Sequence, residues 1–187
     1  MRAKPDLVVI SPNDPAAMQK NIQECKALGI PYAYDPSQQI ARADGDTLRE
    51  GVEGALALFC NEYEFSLIKK KTGFSDADIF GQVTFTAITR GPKGASVYAN
   101  GNEADVEAFP TEEILDPTGA GDAFRGGFLT GLRMSWDYAL CAKLGSLAAT
   151  YCLEADGPQG HYYSTKEFIN RFQAYYGAEE QLDQLLG

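Results

Sequence analysis

The chain has few of the residues from which metal centres and hydrolytic sites are built. Its 187 residues include one histidine, His161, and no cysteine pair in CxxC spacing. A zinc site needs clustered Cys and His ligands, so a zinc site is excluded. His161 follows the turn-like segment 157–160, which favours a solvated loop histidine over a member of a Ser-His-Asp triad. The cysteines are interpreted as buried, reduced thiols: Cys25, Cys60, Cys141 and Cys152.

Positive charge and long apolar runs are also scarce. The formal net charge is −10, which argues against a nucleic-acid partner because such proteins carry basic surfaces. A small polyanion such as ATP remains compatible, since backbone amides, Mg²⁺ and a helix N-terminus neutralise phosphate locally. No apolar run approaches the roughly 20 residues of a membrane helix, and the run 7–10 is too short for a signal peptide. We therefore expect a cytoplasmic protein with no membrane partner.

Short apolar runs alternate with helical patterns along the first half of the chain. An apolar content of 44% fits one globular domain over residues 1–187. Strand–helix–strand alternation implies parallel strands, so the predicted class is α/β, with a largely parallel sheet flanked by helices. The predicted strands are 7–10, 31–35, 55–60 and 83–88, and the predicted helices are 16–28, 47–54, 62–71 and 75–80.

The second half forms a hairpin and then becomes helical. Asn100-Gly-Asn102 is a typical hairpin turn. Glycine inside a helix costs about 1 kcal/mol relative to alanine, so Gly126, Gly127 and Gly131 predict that another backbone packs very close. The predicted elements are strands at 95–99 and 104–109, helical structure from 121 to about 154, and a helix at 165–176.

The chain opens almost directly with a strand of the buried type. A sheet that begins in this way is short of partners at one edge, and exposed edges are normally covered or paired. Either strands from elsewhere cover this edge, or the sequence is a fragment of a longer protein.

The segment Asp116-Pro-Thr-Gly-Ala-Gly-Asp122 combines features suited to a transferring phosphoryl group. Gly119 and Gly121 let the backbone turn tightly and approach a ligand. The amides of residues 119–122 would point out of a helix N-terminus, where the helix dipole favours an anion. Asp122 is placed to take a proton from an attacking hydroxyl. The alternative is a plain helix start, with an acid in the first turn and glycines for packing.

The whole string, continued by Ala-Phe, resembles the C-terminal signature of the ribokinase-like (PfkB) family, which includes ribokinase, fructokinases and adenosine kinase. The resemblance implies ATP-dependent phosphoryl transfer to a hydroxymethyl group of a sugar or nucleoside. It implies Asp122 as the catalytic base and the amides of Gly119, Ala120 and Gly121 as the anion hole. One departure is Pro117, which stands where the family more often has Thr or Asn.

Two earlier segments also resemble motifs of the family and occur in the family's order. Asn61-Glu-Tyr-Glu64 resembles its Asn-x-x-Glu motif, which implies that Asn61 and Glu64 organise Mg²⁺ and phosphate largely through water. The alternative for these residues is a helix cap. Thr89-Arg-Gly-Pro-Lys-Gly94 resembles its Thr-x-Gly-x-x-Gly turn, which implies that Thr89, Gly91 and Gly94 line the nucleotide phosphates. The alternative there is a hairpin turn.

Further correspondences are less specific. Ser146 falls where the family builds its adenine pocket, in a region that any helix core would resemble. Asp116 and Thr118 lie where it binds an activating monovalent cation such as K⁺, with help from a loop near Gly157. The string Asp-Ala-Phe-Arg-Gly-Gly is similar to that of bacterial adenosine kinase-like and nucleoside kinase-like members. Arg125 belongs either to that site or to a helix-surface ion pair, and the sequence leaves both open.

Family members normally begin with a further segment that supplies early strands, a small β-lid and a substrate-binding aspartate. None of these is recognisable before Leu7. The resemblance therefore implies the nucleotide-binding and catalytic portion of such a kinase, which we expect to be a homodimer acting on a small molecule. The alternative function is a non-catalytic nucleotide-binding fragment that self-associates through its exposed sheet edge. A P-loop enzyme is excluded, because no Walker A lysine motif is present.

Overall fold

Six strands form one sheet in the computed structural model, which describes residues 4–111 and 113–186. The first four strands pair in parallel, for example Val9 with Ala33 and Cys60 with Ile88. The predicted α/β class with a largely parallel sheet is confirmed. In their order across the sheet, the strands are β1 (Val8–Ile10), β2 (Tyr32–Tyr34), β3 (Ala57–Asn61), β4 (Phe85–Thr89), β5 (Ala95–Ala99) and β6 (Asn102–Val106).

The chain divides into two compact units. Unit 1 comprises Met1–Arg90 and Ser96–Ala104, and unit 2 comprises Gly91–Ala95 and Asp105–Gly187. The single domain over residues 1–187 stays a prediction.

Four helices of unit 1 begin at side-chain caps and pack apolar faces into its core. Asp14 caps the first of them by accepting a hydrogen bond from the Ala17 amide, and Gly29 ends it in the left-handed conformation at φ 59°. Ile22, Leu48 and Ile68 are fully buried. The helices are α1 (Pro15–Leu28), α2 (Gly45–Val52), α3 (Glu62–Thr72) and α4 (Asp76–Gln82).

The hairpin turn forms where the sequence predicts it, but β6 begins and ends earlier than predicted. Asn100 and Gly101 both have positive φ, at 52° and 75°, which is the signature of a two-residue type I′ turn. Strand pairing therefore resumes directly at Asn102. Phe109, predicted to lie in this strand, instead donates its amide to the Ser146 hydroxyl and accepts from Thr150 at its carbonyl.

Unit 2 contains three longer helices, α5 (Ala120–Arg133), α6 (Tyr138–Leu153) and α7 (Thr165–Tyr176). The break between α5 and α6 lies at Ser135, whose φ is 60°, and Asp137 caps α6 by accepting from the Leu140 amide. Ser164 caps α7 with a reciprocal capping box, and Gly177 ends the helix. Within the described residues, no helix is long and apolar enough to span a membrane. Short 3-10 helices lie at Ser37–Ala41, Gly91–Lys93 and Glu180–Leu186.

The backbones of α5 and α6 touch at two of the three glycines singled out above. A Cβ on Gly127 would lie 2.6 Å from the Leu144 carbonyl oxygen, and one on Gly131 would lie 3.2 Å from the Cys141 Cα. The prediction is wrong for Gly126, which has no atom within 4 Å of that position, because it lies on the exposed side of α5. All four cysteines are buried and free, as predicted.

Replacing Gly127 with alanine is expected to lower the free energy of unfolding by about 1–3 kcal/mol, the usual cost of overpacking a core. Its methyl group would collide with the Leu144 carbonyl, so α5 and α6 would have to separate. Gly126→Ala is the matched control, since it meets nothing and gains up to about 1 kcal/mol of helix propensity. Urea unfolding measures both variants, and equal stabilities would contradict the close approach.

Candidate active site at the start of helix α5

The turn before α5 depends on Gly119 for two physical reasons. Its φ is 86°, a left-handed conformation that other residues rarely adopt. A Cβ there would also lie 2.6 Å from the Cβ of Pro158. The Cys152 thiol donates to the neighbouring Thr118 carbonyl at 3.4 Å. The turn is therefore held tightly against the loop that contains Pro158.

Helix α5 begins without a side-chain cap, and this leaves amides available at its N-terminus. Its N-cap residue is Gly119. None of the hydrogen bonds in the described part of the chain occupies the amides of Gly121 or Asp122. First-turn amides carry the positive end of the helix dipole and bind anions. The other helices, α1 to α4, α6 and α7, are capped by Asp14, Asp44, Asn61, Ser75, Asp137 and Ser164.

Asp122 lies in the first turn of α5 with 70% of its side chain exposed. Its Oδ1 accepts a hydrogen bond of 2.5 Å from Nη2 of Arg125, whose side chain is only 11% exposed. Burial lowers the pKa of Arg125 from its usual value. Arg125 therefore forms an ion pair, which is one of the two predicted alternatives. Its side chain is buried beside the predicted base and does not lie on the helix surface.

Asp116 links the signature segment to the loop at residue 157. Its Oδ1 accepts from the Thr118 amide at 2.8 Å. Hydrogen bonds from the Thr118 side chain, then from the backbone amides of Thr118 and Gly157, lower the pKa of Asp116. The structure therefore brings together the three positions for which the resemblance implies a monovalent cation.

Asn61 and Glu64 form a capping box at the start of α3. The Asn61 Oδ1 accepts from the Glu64 amide and Glu64 Oε2 accepts from the Asn61 amide, both at 2.8 Å. The helix-cap alternative is thus realised. In the described part of the chain, the capping box leaves Glu64 Oε1 and the Asn61 side-chain amide without a hydrogen-bond partner. Among the described residues, no group of three His, Cys, Asp or Glu side chains could hold a metal ion.

The predicted nucleotide turn begins at Thr89, the last residue of β4 in unit 1. In unit 2, Gly91 and Gly94 have φ values of 56° and 89°, and the Gly94 amide donates to the Gly91 carbonyl at 3.0 Å. A Cβ on Gly94 would lie on the Val106 carbonyl oxygen. Gly94 is therefore required for packing, whatever it contributes to a ligand. The hairpin-turn alternative agrees with β4 and β5 being neighbours in the sheet.

Ser146 is buried, and its hydroxyl accepts from the Phe109 amide at 2.7 Å. Gly145 is equally enclosed, because a Cβ there would lie 2.7 Å from the Phe124 carbonyl oxygen. The Ser146 hydroxyl thus supports the segment that follows β6. Its place in an adenine pocket stays a prediction.

Unit 2 contains a cavity of about 340 Å³ that the sequence does not predict, bounded by α5, α6, α7 and residues near them. His161 lines it and stacks on Tyr163 with ring centroids 6.2 Å apart. The prediction of a solvated histidine is wrong. His161 is half-buried, and its Nδ1 is buried without a hydrogen-bond partner among the described residues. The only signal in the sequence is the aromatic run from 161 to 163.

The family model that matches this chain covers almost all of it. It is described as pfkB family carbohydrate kinase and matches residues 3–165. The chain belongs to this family. The match includes the Asp116–Asp122 segment and both other segments for which a resemblance was stated.

Curated relatives are nucleoside kinases and related enzymes. A nucleoside kinase of Methanocaldococcus jannaschii is 26% identical over 170 residues, covering 91% of this chain and 56% of that protein. A cytidine kinase of Thermococcus kodakarensis is 35% identical over 147 residues, covering 73% of this chain and 51% of that protein. The chain thus spans about half the length of the curated relatives it matches.

Solved structures agree with the fold described above. Burkholderia thailandensis nucleoside kinase in complex with inosine superposes with a TM-score of 0.91 at 34% identity, over 95% of this chain and 60% of that one. The nucleoside kinase of M. jannaschii, a member of the ribokinase family, superposes with a TM-score of 0.86 at 27% identity, over 94% of this chain and 58% of that one.

The hydrogen bonds of Asp116 predict a pH-dependent stability. They hold its folded-state pKa below the usual 3.8, so the carboxylate stabilises the fold above its unfolded-state pKa. That contribution is lost as the pH falls through the lower, folded-state pKa. We expect Asp116→Asn to be less stable than the wild type near pH 7, and the difference to shrink below about pH 4.

Urea unfolding from about pH 7 down to about pH 3 measures this difference. Asp183→Asn removes an exposed carboxylate of the same unit and is expected to leave the free energy of unfolding near the wild-type value. A difference between Asp116→Asn and the wild type that keeps its size across the whole range would contradict the assignment.

Proposed function

We propose that this chain catalyses transfer of the γ-phosphoryl group of ATP to a hydroxymethyl group of a nucleoside or a related sugar. The observation that carries the proposal is the start of α5, where the exposed carboxylate of Asp122 lies in the same turn as uncapped amides. An anion site and a proton acceptor in one helical turn are the two groups that phosphoryl transfer to an alcohol requires. Membership of the pfkB family supports this reaction.

In this mechanism Asp122 accepts the proton of the attacking hydroxyl at Oδ2, since Oδ1 is held by Arg125. The hydroxyl oxygen bonds to the γ-phosphorus as the bond from that phosphorus to the bridging oxygen breaks, and ADP leaves with the electron pair. Negative charge on the transferring group is held by the amides of Gly119, Ala120 and Gly121, of which the Ala120 amide also donates to the Pro117 carbonyl at 3.3 Å. These amides are fixed before the reaction by the tight turn, so little reorganisation is needed.

The resemblance assigns other residues to the binding of the nucleotide, of Mg²⁺ and of a monovalent cation. Asn61 and Glu64 retain exposed polar atoms that fit a Mg²⁺ ion held through water, which would neutralise phosphate charge. Asp116 and Thr118, with the loop at Gly157, fit K⁺ or another monovalent cation. Thr89, Gly91 and Gly94 are proposed to line the phosphates of the nucleotide, and Ser146 is proposed to lie near its adenine.

We favour a nucleoside as the acceptor because several proteins similar to this chain are nucleoside kinases. The B. thailandensis structures include complexes with inosine and with ADP and inosine. The T. kodakarensis relative is a cytidine kinase. A panel of inosine, adenosine, cytidine, ribose and fructose therefore spans the acceptors to be compared.

A second candidate is a nucleotide-binding chain without transferase activity that associates through its sheet edge as a homodimer. The observation that favours it is β1, an edge strand of three residues that has a neighbour on one side only among the described residues, and in which Val9 is 39% exposed. Unpaired strand edges are templates for association. Sedimentation of the purified chain, with and without ADP, would reveal such a dimer.

Replacing Asp122 with asparagine is expected to lower kcat for phosphoryl transfer by at least about 10²-fold, because the amide cannot accept the hydroxyl proton. Nucleotide affinity should change little, since the anion-binding amides remain. The measurements are transfer to the acceptor panel with Mg²⁺ and K⁺, and ADP binding by calorimetry. Asp183→Asn, an exposed acid elsewhere in unit 2, is the control and should retain wild-type turnover.

Full turnover in the Asp122→Asn variant would eliminate Asp122 as the base. If the wild-type chain binds ADP but phosphorylates none of the acceptors, the second candidate function is favoured.

A further inference from the structure

Arg125 is buried although the carboxylate with which it pairs, that of Asp122, is exposed. Only 11% of the Arg125 side chain is exposed, whereas 70% of the Asp122 side chain is exposed. A second i,i+3 pair in the same protein, Arg49 with Asp46, has side-chain exposures of 41% and 91%. Exposed pairs of this kind contribute little to stability.

The geometry of the pair has a chemical consequence. A carboxylate at the first turn of a helix is free to rotate about its side-chain bonds, and each rotamer presents different oxygens to the substrate. Arg125 lies one turn later on α5, and its side chain points back towards the helix N-terminus, as helical side chains do. Its Nη2 binds Oδ1 of Asp122 at 2.5 Å. Oδ2 has no hydrogen-bond partner among the residues that the structure describes.

We propose that Arg125 is a positioning residue, which holds the Asp122 carboxylate in one orientation and leaves Oδ2 directed at the hydroxyl of the acceptor. The proposal rests on the proposed function of Asp122 as the base. Because the guanidinium is buried, its position is fixed, and it can therefore orient the carboxylate. A mobile surface arginine would move with the carboxylate instead of orienting it.

A positioning role predicts a particular pattern of kinetic change. Misplacing a reacting group by about 1 Å costs on the order of 10²-fold in rate. Arg125→Gln is therefore expected to lower kcat by about 10- to 100-fold, with little change in KM for ATP. Arg125→Lys keeps the charge but not the planar donor pair, and should recover part of the lost kcat. A merely structural arginine would change the fraction of folded protein and not the turnover of the folded enzyme.

The matched control is Arg133→Gln, which removes an exposed arginine from the other end of the same helix. It should retain the wild-type kcat. Thermal unfolding of each variant gives the folded fraction to which kcat is referred. Wild-type kcat in folded Arg125→Gln, or equal losses in Arg125→Gln and Arg133→Gln, would overturn the proposal.

A second measurement tests the pairing without any turnover. Side-chain guanidinium signals in a ¹H–¹⁵N NMR spectrum are expected to show a slowly rotating Arg125 group in the wild-type chain. Its signals should shift and broaden in Asp122→Asn and stay unchanged in Asp183→Asn. No response to Asp122→Asn would overturn the proposal, even if Arg125→Gln is impaired. A chain that shows the response but transfers no phosphate would contradict the proposed function and not the pairing.

Discussion

The direct contact between the backbones of α5 and α6 is the constraint on which the candidate active site depends. Gly127 of α5 faces the Leu144 carbonyl, and Gly145 of α6 faces the Phe124 carbonyl. Because neither glycine has a side chain, each helix can come into contact with the backbone of the other. Because α5 is rigidly packed along its length, the position of its first turn is defined. A loop carrying the same amides and carboxylate would lack this precision.

The turn that starts α5 is fixed by a second set of contacts. Gly119 lies against Pro158, Cys152 donates to the Thr118 carbonyl, and Asp116 accepts from the Thr118 amide. These contacts hold the turn from outside the helix. In the described part of the chain the amides of Gly121 and Asp122 make no hydrogen bond, whereas the Ala120 amide donates to the Pro117 carbonyl at 3.3 Å. The helix is therefore less well capped than its neighbours. Open donors at a helix start lower stability, and the packing around the turn compensates for this here.

Several residues with a predicted binding role also have a structural one. Asn61 and Glu64 cap α3, Gly94 fits beneath the Val106 carbonyl, and Ser146 supports the Phe109 amide. The two kinds of role are compatible. A carboxylate that accepts a capping hydrogen bond at one oxygen has a second oxygen for a ligand, and a glycine would contact a ligand through its backbone. A substitution at these positions would therefore change folding as well as any ligand binding. Asp122, which makes no capping bond, offers a cleaner separation of the two effects.

The sequence by itself determined the features that depend on local chemistry. Apolar runs separated by caps and turn residues were sufficient for the four parallel strands, for the helix ends at Gly29 and Gly177, and for the turn at Asn100 and Gly101. The segment from Asp116 to Asp122 was recognisable because its glycines and acids lie within one short stretch of sequence.

Only the tertiary structure decided the features that depend on what lies opposite a residue. Gly126 and Gly127 are identical and adjacent, yet one faces solvent and the other faces α6. Arg125 could equally have been a surface residue, and its burial depends on elements that pack over it. Phe109 leaves the sheet because Ser146 and Thr150 offer its backbone other partners. Burial and pairing of this kind follow from contacts between distant parts of the chain, which periodicity and local propensity do not encode.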